Sequence, residues 1–332
     1  MKERINWADQ TRGIGVLLVF SVHFFHGELG TAHLLVQFLS MSCLTVFYFT
    51  SGYFFRGSFE FKQWLKHNAY TLLLPYLVAS LVFLVFHCIK REPGILDRFL
   101  GIFLQLPNTP WEGGRWFVPS FFVAKLVFDF SASRCKGNVA VLLTLCFGYA
   151  AASWVYTLLG GPRLPWNIEA ALLAQPFFAM GYCWKHGMEQ RYEMLTASQK
   201  TMILFGAAVA FIALAALNLK LGGRTVDYHS RVLNEFFTAY SASICALFVI
   251  LQISMKSNRI LVYVGRDSLI YYMYTGISGM VTSRIMKMLG WNHRAVRFLI
   301  GVIGLVLLIT PMALVMNRYF PWAAGKRKLK NV

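Results

Sequence analysis

The sequence predicts an all-α, polytopic integral membrane protein with about ten transmembrane helices, and three observations carry that expectation. Hydrophobic residues make up 57% of the 332-residue chain and charged residues only 14%, far from the balance of a water-soluble domain. Apolar runs near the ~20 residues needed to cross a bilayer recur from end to end. The Lys and Arg residues lie in short loops between those runs, not on one polar domain. The formal charge of +18 therefore points to topology and anionic lipid headgroups, with a polyanionic ligand second, and away from nucleic acid.

The expected spans are approximately 10–29, 34–55, 70–89, 116–133, 138–158, 167–185, 201–219, 235–254, 260–284 and 296–317. The first follows Lys2 and Arg4, as a signal peptide would. Its apolar core is short, however, and is entered and left by Arg12 and His23 with no small-residue cleavage site after it, so a retained helix is expected. The fourth span is interrupted by Lys125 and Asp129, spaced i, i+4, which are expected to neutralise each other as a structural ion pair. The sixth begins with Glu169.

An even number of crossings puts both termini on one side. Nineteen Lys and Arg residues fall in the loops on that side and twelve in the opposite loops, which makes it the cytoplasmic side. No tandem repeat or low-complexity linker divides the chain. The expectation is a single transmembrane domain over residues 1–332, with spans over about 10–317 and a short basic cytoplasmic tail over 318–332. The six cysteines are scattered in or beside apolar runs, with no C-x-x-C and no His at metal-ligand spacing, and are expected to be buried apolar residues.

Arg12 and His23 stand out within the first span. Eleven steps of about 100° bring a helix back to the same face, with the two residues about 16 Å apart along the axis. Ionisable groups in a spanning segment are costly and mark functional candidates. The plainer alternative is an interfacial Arg that snorkels and a satisfied core His.

Several segments carry a resemblance. Asp9-x-x-Arg12-Gly13, with His23 eleven positions after the Arg, resembles the opening of the membrane-bound acyltransferase type 3 family, whose members O-acylate bacterial surface sugars. Phe47-Tyr48-Phe49-Thr50-Ser51-Gly52-Tyr53-Phe54-Phe55 resembles the end of the family's second helix. Leu72-Leu73-Leu74-Pro75-Tyr76 and Arg115-Trp116-Phe117-Val118-Pro119 resemble the starts of its third and fourth helices. Tyr263-Val264-Gly265-Arg266-Asp267-Ser268-Leu269-Ile270-Tyr271 is similar to its late Y-I-G-x-x-S-L-x-I-Y segment. Two departures stand against these matches. Tyr274 occupies the place of a His found in many members, and only Lys62, Lys66 and His67 represent the basic residues before the third helix.

The resemblance implies an O-acyltransferase, most simply an O-acetyltransferase, of the bacterial inner membrane. It would move an acyl group from acetyl-coenzyme A to a hydroxyl of a cell-surface or lipid-linked sugar. The implied partners are the acyl-coenzyme A donor, a carbohydrate or glycolipid acceptor and membrane lipids, with no metal and no nucleic acid. Arg12 would hold donor phosphate bidentately, Lys66 would assist at the donor, and His23 would act as general base on the acceptor hydroxyl. An acyl-histidine intermediate is a less favoured variant. Arg12 has an alternative structural role as the partner of Asp9 one turn back.

His26, Ser51, Trp116 and Ser268 are candidate substrate contacts. Against them stand an interfacial His, close helix packing through Gly52 and Gly265, and an aromatic belt. Asp227 and Glu235 lie at the outer mouth of a span and are further acceptor candidates. A transporter or flippase for a lipid-linked or small anionic solute is the competing function. It should show internal repeat symmetry and helices broken in corresponding halves, and neither is evident.

Overall fold

The computed structural model describes residues 5–24, 44–57, 59–105, 115–220, 246, 249–253, 256–290 and 294–326. They are predominantly helical, with no strand among the described residues. In chain order the helices are α1 (Asn6–Phe24), α2 (Thr45–Tyr53), α3 (Phe61–Ile89), α4 (Ile95–Leu104), α5 (Phe117–Arg134) and α6 (Val139–Leu158). They continue with α7 (Ile168–Leu173), α8 (Gln175–Cys183), α9 (Glu189–Glu193), α10 (Ala197–Lys220), α11 (Arg259–Arg266), α12 (Ser268–Met288) and α13 (Arg294–Tyr319).

Three helices among the described residues are long and apolar enough to cross a membrane: α3, α6 and the Ile300–Tyr319 part of α13. Each exposes large apolar side chains, among them Val85 and Phe86, Phe147 and Val155, and Leu307 and Val315. Such faces suit contact with lipid. The Lys125–Asp129 pair expected within α5 is formed, with the ammonium on Asp129 Oδ2 at 2.5 Å, and the Trp64 indole N–H donates to the same oxygen at 2.7 Å.

Several elements differ from expectation. The span expected over 260–284 is two helices, α11 and α12, because the chain leaves helical geometry at Asp267 (φ −108°, ψ 18°). The span expected over 167–185 is likewise two helices, α7 and α8, followed by a π-turn over Trp184–Met188. Helix α4 fills a loop in which no helix was expected. The expectation that all cysteines are buried is corrected. Cys146 is buried, Cys135 and Cys183 are half-buried, and Cys88 is exposed near the end of the apolar helix α3, where an apolar side chain can face lipid as readily as protein.

The chain divides into two compact units. The first comprises Met1–Phe55, Pro176–Ser268 and Thr275–Leu307. Backbone contact at glycine organises it. Gly13 of α1 lies against the backbone of Leu261 and Gly265 in α11, and Gly265 lies against the Asp9 carbonyl, so neither position has room for a Cβ. Gly52 of α2 and Gly181 of α8 meet the backbones of Phe178 and Phe49 in the same reciprocal way. The Gln10 amide N–H donates to Gln252 Oε1 at 3.1 Å, and the Asn258 backbone N–H donates to Gln10 Oε1. Asn258 then caps α11 by accepting from the Ile260 and Leu261 N–H groups.

The second unit comprises Arg56–Gln175, Leu269–Tyr274 and Leu308–Val332. Its α3 carries a π-turn over Ala69–Leu73, just before Pro75, whose missing N–H opens the hydrogen-bond ladder at Thr71. Gly325, at φ +67°, packs on the Thr71 backbone, and Tyr70 Oη donates to the Lys326 carbonyl at 3.2 Å. The first part of the expected basic tail is therefore folded onto α3. Ser120 donates to the Asn167 carbonyl, and the Gln175 amide donates to the carbonyls of Ala124 and Ala171, tying α5 to α7.

Candidate active site

In the first unit, α1 runs unbroken through positions 12 and 23, so the eleven-residue spacing is helical throughout. The His23 side chain and the whole of His26, Asp227 and Glu235 lie outside the described residues. Arg12 is held from several sides. One terminal nitrogen lies 3.6 Å from Asp9 Oδ1, its Nε donates to Thr50 Oγ1 at 3.1 Å, and its guanidinium sits 5.2 Å from the centre of the Phe54 ring. Thr50 Oγ1 in turn donates to the Phe47 carbonyl at 3.1 Å, which fixes the direction of its lone pairs. The structural partnership with Asp9 is thus present.

Asp9 has a second cation. Arg266 Nε, at the C-terminal end of α11, lies 3.5 Å from Asp9 Oδ2. The Gly13–Gly265 contact explains why. Two helices whose backbones touch bring the side chains of Asp9 and Arg266 within reach of each other. The Asp9-x-x-Arg12-Gly13 and Gly265-Arg266 segments, separate in sequence, form one layer. Beside it, Lys185 Nζ donates to Glu189 Oε2 at 2.9 Å and to Tyr53 Oη at 3.1 Å, and Tyr53 Oη donates to Glu189 Oε1 at 2.7 Å. That closed ring ties the end of α2 to the π-turn before α9.

The other candidates of this unit are half-buried. Ser51 precedes the close Gly52–Phe178 contact in α2, and Ser268 opens α12. The packing role considered for Gly52 and Gly265 is present at both glycines.

In the second unit, Lys66 is exposed on the first turns of α3. Trp116 is buried, edge-to-face with Phe117 at 6.3 Å. Arg115, adjacent to it, places its guanidinium 4.0 Å from the centre of the Phe83 ring, within electrostatic range of the phenols of Tyr76, Tyr272 and Tyr274. Tyr274 stacks on the same Phe83 ring at 6.2 Å. The Arg115-Trp116-Phe117 and late-tyrosine segments therefore also converge. Among the described residues, no group of three or more His, Cys, Asp or Glu side chains gathers as a metal site would require.

Arg266 and Thr50 were not singled out from sequence, although both lie within the quoted segments. The signal for Arg266 is the one that marked Arg12, a charge at the edge of an apolar run. The acyltransferase domain family, Acyl_transf_3, matches residues 5–318 of the chain. No curated protein and no solved structure matches it.

Proposed function

The chain belongs to this acyltransferase family, and from that premise we propose an O-acyltransferase, most simply an O-acetyltransferase. It takes its acyl group from a coenzyme A thioester and delivers it to a hydroxyl of a cell-surface or lipid-linked sugar. The family match, running nearly the full length of the chain, carries this reading and sets the transporter aside. In it, residues 1–332 act as one catalytic domain of about ten spans in the bacterial inner membrane. Both termini are cytoplasmic.

Arg12 contacts the anionic end of the donor while remaining braced by Asp9 and Thr50. His23 accepts the proton of the acceptor hydroxyl as its oxygen attacks the thioester carbonyl. The carbon–sulfur bond then breaks, and the imidazolium returns the proton to the departing thiolate. Lys66 assists at the donor, while His26, Ser51, Trp116 and Ser268 contact the substrates.

The test is acetyl transfer by the purified protein from acetyl-coenzyme A to candidate glycans. His23→Ala and His23→Gln should each lower transfer by ~10²–10⁴, the usual contribution of a general base, and leave donor binding near normal. In the unsubstituted protein, transfer should fall on the acidic side as the imidazole protonates. An active His23→Gln enzyme removes His23 from the mechanism.

A further inference from the structure

We infer that Arg266 is a second donor ligand, and that Asp9 brackets Arg12 and Arg266 into a pair that grips the diphosphate of coenzyme A. The inference rests on the coenzyme A reading above. Three observations carry it. The two oxygens of one carboxylate are divided between two guanidinium groups, Oδ1 toward Arg12 at 3.6 Å and Oδ2 toward Arg266 at 3.5 Å. Asp9 is buried while the Arg266 side chain is 40% exposed, so the bracket lies beneath and the cation is reachable. The bracket is also rigid, because Gly13 and Gly265 hold α1 and α11 in backbone contact.

Two arginines on the two oxygens of a single carboxylate stand at a fixed short spacing. Guanidinium forks are matched to phosphate oxygens, and a diphosphate offers two adjacent anionic groups at a comparably short spacing. A lone carboxylate ligand would need only one of them. Asp9 therefore acts as a positioning residue, and Arg266 touches the donor. A lipid phosphodiester presents the same chemistry with a single phosphate, so the experiment includes both.

The experiment measures binding of coenzyme A to the purified full-length protein in lipid-free nonionic detergent. It also measures acetyl transfer from acetyl-coenzyme A and from S-acetylpantetheine, a donor without phosphates. Arg266→Gln should raise the Kd for coenzyme A about tenfold or more. Turnover of S-acetylpantetheine should be unchanged, and phosphatidylglycerol titrated into the micelles should bind as before. Arg266→Lys keeps the charge beside Asp9 and should fall between, because it lacks the planar fork. An equal loss with both donors makes Arg266 merely structural and overturns the inference, as does an unchanged Kd in Arg266→Gln. A loss confined to phosphatidylglycerol assigns the pair to lipid and also overturns it. Failure of the unsubstituted protein to bind coenzyme A overturns the donor reading itself, a result distinct from the others.

Discussion

Thr50 and Ser51 are neighbours, and a helix turns about 100° between them, so the two face different surroundings. The sequence drew attention to Ser51, beside the glycine of its segment. It is Thr50 that meets Arg12, accepting from Nε while donating to the Phe47 carbonyl. Thr50→Val keeps the shape and removes both hydrogen bonds, leaving a charged donor without its acceptor, at a cost of about 1–3 kcal/mol. Donor affinity should fall roughly tenfold. Thr50→Ser should restore it to within about twofold, and Ser51→Ala, at a residue proposed to contact the acceptor, should leave coenzyme A affinity within about twofold of the unsubstituted protein. Titration of coenzyme A into the three variants checks this, and an equal loss in Thr50→Ser, which keeps the hydroxyl, would mean that the hydrogen bond to Arg12 is not the cause. Arg12 was legible because a guanidinium in an apolar run is conspicuous on cost alone. Asp9, one turn back, was legible as its partner from spacing alone, but Thr50 and the second cation on Asp9, Arg266, were not, because they depend on how α2 and α11 are rotated about their axes. Apolar periodicity cannot set that rotation in α2, where apolar residues occupy every face, and in α11 it sets a buried face without saying which helix covers it.

At the scale of elements, the glycines turn that rotation into contact. Replacing a helical glycine by alanine ordinarily favours the helix by about 0.5–1 kcal/mol. At Gly265 the added Cβ would meet the Asp9 carbonyl, and at Gly52 the Phe178 backbone, neither of which can rotate away. Gly265→Ala and Gly52→Ala should each destabilise the protein in detergent by about 1–3 kcal/mol. Gly148 in α6 has open space where a Cβ would stand, with nothing within 4 Å, so Gly148→Ala should be neutral or mildly stabilising. Thermal unfolding of the three variants side by side checks the contrast, and a uniform response would mean that helix propensity outweighs contact. The helices themselves were largely legible, since composition and length suffice for α3, α6 and α13. The breaks at Asp267 and within 168–188 were not. An apolar run reads the same whether it is one helix or two, and a π-turn leaves no periodic trace.

At the scale of the whole molecule, the family and the helical class were both legible, while the number of crossings rests on the ten apolar runs. Three described helices meet the length and apolarity of a span, and α5 shows why others fall short, with Lys125, Asp129 and Arg134 all within its 18 residues. Ten crossings place three spans, an odd number, between Gly222 and Val332. Reporter fusions after Val332 and in the loop near Gly222 should therefore report opposite sides, with the Val332 reporter cytoplasmic. Finding both on one side overturns the count. Finding them opposite but inverted has a second consequence. The N-terminal end of α1, with Asp9 and Arg12, would then face the outside. Coenzyme A carries several charges and does not cross a hydrocarbon layer unaided, so it could not reach Arg12 there. Orientation and donor chemistry thus stand or fall together. Arg12 and Arg266 are two of the nineteen residues behind the first; without them the Lys and Arg bias still runs seventeen to twelve, so cytoplasmic termini would bring that bias and the Asp9–Arg12–Arg266 geometry to the same face.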